Sequence, residues 1–227
     1  MKMKKSFAAV LACMLIMSLA PAGASASVSA GFAGGESQGY YLTYPVAEID
    51  SGKAEKLINE DILSQVKDLE TQVKDKVYSK ADMTYYEKYE DGNIISLMFY
   101  VNTTKRFTNR NILRGYTVTY DKHDGSRVPM SRYLTITLPQ LQDALNHSRA
   151  YAVDGLDNGV NLDRPIPYVS DNYFICHDGS ISLLYQPGDL MDASAGAAKI
   201  IVSPETIREV NSINITNTLH QEAAKAE

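Results

Sequence analysis

Between Ser51 and Lys80 the apolar residues Ala54, Ile58, Ile62, Val66, Leu69, Val73 and Val77 recur at steps of four, four, four, three, four and four. That spacing keeps them on one face of a helix of about seven turns. Ser51-Gly52 can open it, and Glu, Asp and Lys fill the other face, which reads as solvated. Before it, Gly39–Ile49 reads as a strand that Pro45 confines to an edge or to its end. After it, Met83–Glu90 and Asn93–Asn102 flank Asp91-Gly92 as the arms of a hairpin. Ile112–Asp121 alternates through Tyr116, Val118 and Tyr120, and Asp124-Gly125 marks a further turn before Arg127-Val128-Pro129.

The best-specified hairpin is Asn172–Tyr185, around Asp178-Gly179. That dipeptide favours a two-residue type I′ turn. Such a turn sets Cys176 opposite Ile181 and Phe174 opposite Leu183, all four on one face. Tyr173, Ile175 and Leu184 then share the other face with Ser180 and Ser182. Between the hairpins, Thr137-Leu138-Pro139-Gln140 carries a capping box and an early proline, so it starts a second helix. Asp154–Pro167 and Pro187–Gly196 read as loops, Ala197–Val202 as a short strand, and Ser203-Pro204-Glu205 as the cap of a short last helix ending at Val210. Strands joined by tight turns are antiparallel. The expected fold class is therefore α+β: a single domain with an antiparallel β-sheet, the long N-terminal helix and a second helix packed on one face.

The ends change the organisation. Three lysines, the apolar stretch Ser6–Leu19 and the small residues up to Ala26 form the three regions of a secretory signal peptide. Cleavage is expected after Ala26, with Ala30 a second possibility. The apolar run is shorter than the ~20 residues of a membrane span. It continues past Cys13 through Met14-Leu15-Ile16-Met17, which favours ordinary cleavage over a lipid anchor. Residues 1–26 are thus read as signal peptide, 27–39 as a flexible glycine-rich linker, 40–210 as the domain and 211–227 as a fraying tail. The expected location is secreted, periplasmic or cell-wall associated. Cys176 becomes the sole cysteine of the exported chain, so no intramolecular disulfide can form.

The net charge of the whole chain is −5, and losing the leader's lysines makes it more acidic. That argues against nucleic acid or an anionic surface as the main partner. Lys105, Arg106, Arg110 and Arg114 form the basic concentration, suited to an anionic polymer or an acidic partner, with a solvated loop as the simpler reading. His123, His147, His177 and His220 fall in no metal-binding spacing. No Gly-x-Ser-x-Gly elbow presents a nucleophile, and turn geometry accounts for Asp124-Gly125-Ser126 and Asp178-Gly179-Ser180. Glu87, Glu90 and Asp91 read as solvated strand-end charges, and Gly31–Gly35 as linker rather than a phosphate loop. No catalytic residue, cofactor or metal ligand is assigned.

The ordered set of elements resembles the RsiV-like family of extracellular bacterial domains of unknown function. The resemblance spans Tyr40 to Val210. It rests on Tyr44-Pro45, Ile58-Asn59, Tyr120 with Asp124-Gly125, Gly179–Tyr185, Gly196 and Ile200-Ile201-Val202-Ser203. The chain departs from the family pattern at Thr103–Arg110 and at Gln186–Leu190. The resemblance implies a secreted, non-catalytic binding module that recognises a lysozyme-like protein or a cell-wall glycan. The alternative is an envelope hydrolase with a site assembled from distant loops. In either case function is expected beside the hairpin, in Thr103–Arg110 or Gln186–Gly196.

Overall fold

The computed structural model describes residues 28–162 and 164–225, with side chains through Ile215. The segment read as a signal peptide, Cys13 included, lies outside the described residues.

The long periodic stripe is helix α1, Gly52–Lys74. Ser51 caps it by accepting from the Ala54 amide, and Ala54, Ile58, Ile62 and Val66 are buried. The helix stops earlier than the stripe suggests. Lys76 takes a left-handed φ of 64°, and Val77 lies past the end, 53% exposed. The second helix, α2 (Leu138–Asn146), carries the expected Thr137/Gln140 capping box.

The α+β class holds, and the strands divide between two five-stranded sheets instead of forming one. The first sheet runs in chain order: β1 (Val28–Gly35), β2 (Tyr40–Ala47), β3 (Tyr78–Glu90), β4 (Ile94–Lys105) and β5 (Asn111–Asp121). The segment read as a flexible linker is therefore β1, paired with β2 along its whole length. Its glycines hid it, and β2 explains them. A Cβ at Gly31 would meet the Tyr44 ring at 2.4 Å, and one at Gly34 the Tyr40 backbone oxygen at 2.0 Å. Tyrosines thus supply the packing surface that β1 lacks. β2 and β3 pair in parallel over Tyr40–Leu42, with α1 as the crossover. Pro45 lies beyond that short pairing, where no β3 partner needs its missing N–H.

The second sheet has the order β7 (Gly159–Val160), β6 (Ala150–Val153), β10 (Ala198–Val202), β9 (Ile181–Tyr185) and β8 (Tyr173–Ile175). The β8–β9 hairpin exists, but its register is one residue off the expected one: Ile175 opposes Ile181, and Phe174 opposes Ser182. The Cys176 amide donates to the Ser180 carbonyl, the Gly179 amide donates to the Cys176 carbonyl, and Gly179 has φ 80°. His177-Asp178-Gly179 is thus a three-residue loop closed by a left-handed glycine, not a two-residue type I′ turn. One extra residue exchanges the faces. Tyr173, Ile175, Ile181 and Leu183 face one core, while Phe174 and Leu184 face another.

Three clusters fix the layers. Ile95, Leu97, Phe99 and Val101 of β4 bury one face of the first sheet with Ile58, Ile62 and Val66 of α1. On the opposite face Met98 meets Phe174 and Leu184 of the second sheet. The second sheet's far side packs with Leu141 and Ala144 of α2. β4 is therefore covered on both faces, and its middle reads as continuous apolar sequence. Ser96 bridges the layers: its Oγ pairs with Thr119 Oγ1 at 2.8 Å and accepts from the Ile175 amide at 3.1 Å. The outer edge of β5 is closed by side-chain amides. Asn172 Oδ1 accepts from the Thr117 amide at 2.6 Å, and Gln186 Oε1 accepts from the Gly115 amide at 3.1 Å. Both amides also donate to the Gly115 carbonyl, which blunts an edge otherwise open to pairing. The last helix, α3 (Pro204–Lys225), runs on past Val210 through most of the expected tail.

A polar tie fastens α1 to the sheet. Asp61 accepts from Tyr120 Oη at 2.6 Å and from Arg127 Nε and Nη2 at 2.8 Å each. Burial pushes the Asp61 carboxyl up, but the Arg127 and Tyr120 hydrogen bonds outweigh it and hold the group below the ordinary 3.8. A lowered carboxyl stabilises the fold above the ordinary value and stops doing so as pH falls through the folded-state value. Asp61→Asn should therefore cost roughly 1–2 kcal/mol at pH 6, discounted for the pair's partial exposure. The gap to the parent should narrow at pH 3 in denaturant melts. A gap independent of pH would show that the carboxylate charge is not what holds the tie.

Candidate functional site

The histidines are dispersed. His123 Nδ1 lies 3.0 Å from Asp121 Oδ1, and His147 Nδ1 lies 3.0 Å from Asp143 Oδ1, both at exposed turns. His177 sits against the Tyr89 ring, 5.9 Å between centroids. The His220 side chain lies outside the described residues. Among the described residues, no three His, Cys, Asp or Glu side chains come together as a metal group. Asp178 Oδ1 accepts from the Ser180 amide at 2.9 Å and from its hydroxyl at 2.6 Å, so it closes the turn. Cys176 is half-buried, and burial pushes its thiol up, away from the thiolate that nucleophilic chemistry needs.

Two carboxylates at the β3–β4 turn, Glu90 and Asp91, are likewise committed. Asp91 Oδ1 accepts from the Asn93 and Ile94 amides, and Glu90 pairs with Lys122 at 2.8 Å. Lys199, 2% exposed on β10, is answered by Asp157.

The two loops singled out in the sequence serve different purposes. The first half of Gln186–Gly196 is turned inward, while Asp192–Ala195 are exposed. Gln186 closes the β5 edge, Asp189 Oδ2 accepts from the Gln186 amide and from Tyr168 Oη, and Leu190 is fully buried. Thr103–Arg110 is turned outward. It carries the β4–β5 hairpin past the body of the sheet, and every residue from Lys105 to Arg110 is exposed.

Beside that hairpin lies a groove of about 350 Å³. One wall is the second half of α1, with Ser64, Gln65, Asp68 and Gln72. The other comes from Tyr78 of β3, Thr103 of β4, and Arg114 and Tyr116 of β5, with Leu69 and Val101 also lining it. Hydroxyls and amides thus surround an apolar patch and one guanidinium. Tyr116 is held by stacking on Phe99, centroids 4.9 Å apart and planes 8° from parallel. The Asp68 carboxylate accepts from Gln72 Nε2. Arg114 is exposed and forms no ion pair with the described carboxylates, Asp68 included. Its planar donor fork is therefore open to a carboxylate or phosphate from outside.

Sequence reading found Arg114 and the hairpin but missed the α1 wall, which it took for a solvated face. The signal was present. Ser64, Gln65, Asp68 and Gln72 form a stripe at helical spacing beside the apolar one, in which only Asp68 carries charge and lysines and glutamates are missing. A second, wider concavity of about 820 Å³ lies between α2 and the β6–β7 edge, where Arg164 already donates to the Gly188 carbonyl at 2.6 Å.

No family model and no curated protein matches this chain. Solved structures that share its fold include two DUF3298 proteins. One is a DUF3298 family member from Bacteroides fragilis, 12% identical, with a TM-score of 0.51, covering 81% of this chain and 90% of its own. The other is a DUF3298 family protein from Pseudomonas aeruginosa, 10% identical, with a TM-score of 0.51, covering 80% of this chain and 90% of its own. At those identities the likeness concerns the fold, which is that of bacterial domains of unknown function.

Proposed function

We propose that the chain is a non-catalytic binding module of the bacterial cell envelope, exported by its N-terminal leader, and that it takes an acidic ligand in the groove beside the β4–β5 hairpin. The observation that carries this reading is Arg114: a guanidinium without a carboxylate partner among the described residues, set among hydroxyls and amides beside Leu69 and Val101. Such a lining suits a saccharide or peptide that bears a carboxylate and a less polar face, as peptidoglycan does. The hydroxyls and amides meet ligand hydroxyls, and the guanidinium grips the carboxylate by two parallel hydrogen bonds. A basic protein of the lysozyme kind fits this groove less well, since its surface charge has the same sign as Arg114. The RsiV-like resemblance supports the binding role, and the groove's mix of hydroxyls, amides and one guanidinium supports a glycan ligand. The hydrolase alternative lacks a nucleophile, histidine and carboxylate in mutual contact among the described residues.

The test is sedimentation with purified peptidoglycan, alongside a pull-down on immobilised lysozyme. The chain should pellet with peptidoglycan, and Arg114→Ala should lower the retained affinity by about tenfold to a hundredfold, as loss of a charged hydrogen-bonding partner does. Retention on lysozyme with none on peptidoglycan would replace this reading with a protein-binding one.

A further inference from the structure

The β4–β5 tip itself, distinct from the groove, carries a second feature. Phe107 stands at the end of the hairpin, 92% exposed. The tip is well formed: the Lys105 amide donates to the Arg110 carbonyl at 2.9 Å, the Asn109 amide donates to the Lys105 carbonyl at 2.9 Å, and Asn109 takes φ 50°. The ring is thus held out on a closed turn and covers nothing in the fold. Lys105, Arg106 and Arg110 flank it. The Arg106 amide approaches the Val77 carbonyl at 3.5 Å, which brings Lys76 and the exposed Val77 to the same end. Lys80 joins them, since it pairs in register with Thr104. None of these five cations forms an ion pair among the described residues, and Asp75 and Asp82 are the nearest acids along their segments. An acidic chain has thus gathered unpaired positive charge around an apolar tip. Net charge had argued against an anionic surface, but its distribution reverses that argument for this end.

We propose that this tip docks the protein on an anionic lipid bilayer, with Phe107 entering the boundary between headgroups and acyl chains and the ring of lysines and arginines resting on the lipid phosphates. The charge complementarity is direct, and the apolar tip selects a bilayer over a purely polar polyanion. An aromatic ring flanked by cations is the combination that holds proteins at a membrane interface. Docking of this kind leaves the groove accessible beside the membrane, so the two sites can be tested apart.

The chain contains no tryptophan, which makes the test specific. Phe107→Trp places the chain's one tryptophan at the tip, to be excited selectively at the red edge where tyrosine does not absorb. Leu156→Trp, at a position 84% exposed in the β6–β7 turn, serves as the reporter away from it. Both are prepared in the chain from Ser27 onward, which carries every described element of both sheets. They are titrated at about 0.1 M salt, where charges within about 10 Å still interact. The vesicles are phosphatidylglycerol mixed with phosphatidylcholine, or phosphatidylcholine alone. The tip reporter should shift to the blue with the anionic vesicles only, and the distant reporter should not shift. Lys105→Glu with Arg106→Glu should weaken vesicle binding by more than about tenfold. Arg114→Ala should bind vesicles within about twofold of the parent, which separates this tip from the groove. Phe107→Ser should melt like the parent and lose vesicle sedimentation. An unshifted tip reporter, an equal shift on neutral vesicles, or equal shifts of both reporters would each overturn the proposal.

Discussion

Phe99→Ala is expected to lower the unfolding free energy by roughly 3–5 kcal/mol, as truncation of a fully buried phenylalanine does. For a domain of this size that is a fall in melting temperature on the order of 10 °C. Phe99 is completely buried in β4, the strand covered on both faces, and its ring stacks on Tyr116. Its cluster joins α1 to β2, β3, β4 and β5 of the first sheet. Its described neighbours lie in regular elements already packed, so little can move in to fill the cavity. The variant should also loosen Tyr116, and with it one wall of the groove. Urea melts measure the first effect. A change below about 1 kcal/mol would mean that the α1 layer does not rest on the sheet as described.

Gly125→Ala should cost about 2–4 kcal/mol, in two parts. Gly125 has φ 78°, a conformation that costs an alanine about 1–2 kcal/mol. The added Cβ would also lie 2.8 Å from the Ala54 backbone oxygen and 2.9 Å from Leu57 Cβ. Neither is the free end of a long side chain, so the first turn of α1 or the β-turn itself must move, as in an overpacked core. Ser51 Oγ donates to the His123 carbonyl at 3.2 Å, so the same displacement strains the cap of α1. Thermal unfolding checks it. Gly92→Ala is the comparison, since no atom lies within 4 Å of its Cβ position and its φ is not left-handed. Equal melting temperatures for the two variants would remove the close approach from the account.

These positions show how far the sequence reaches. Asp124-Gly125 and Asp178-Gly179 both read correctly as turns. Their lengths were not readable, because a dipeptide does not say whether its glycine closes a two-residue or a three-residue loop. At Gly179 that single residue exchanged the faces of β8 and β9, so Phe174 meets Met98 instead of lying opposite Leu183. β1 was illegible for another reason. Its own residues carry little strand preference, and the surface that orders it belongs to Tyr40 and Tyr44 of the next strand. The division into two sheets was equally hidden. The contacts that set one sheet against the other, Ser96 to Ile175 and Asn172 to Thr117, join residues far apart in sequence. Helix α1 was plain because its signal is local and periodic, and the Thr137/Gln140 cap for the same reason. The basic hairpin was visible as composition. The groove was not, since one of its walls is a helix face and the other is the ends of three strands.

The groove also explains how charge can mislead when it is summed. An acidic chain looks unsuited to acidic ligands, yet Arg114 and the tip cations share one end of the first sheet, while Arg127 and Arg149 are neutralised by Asp61, Asp143 and Glu209 elsewhere. Local pairing decides which cations are available.

The central claim is that Arg114 and its groove bind a carboxylate-bearing wall fragment. Isothermal titration of the chain from Ser27 onward with soluble muropeptides, repeated with Arg114→Ala, tests it most directly. The parent should bind saturably and the variant about tenfold or more weakly, with an unchanged melting temperature. Equal affinity for parent and variant, or no binding heat from either, would contradict it.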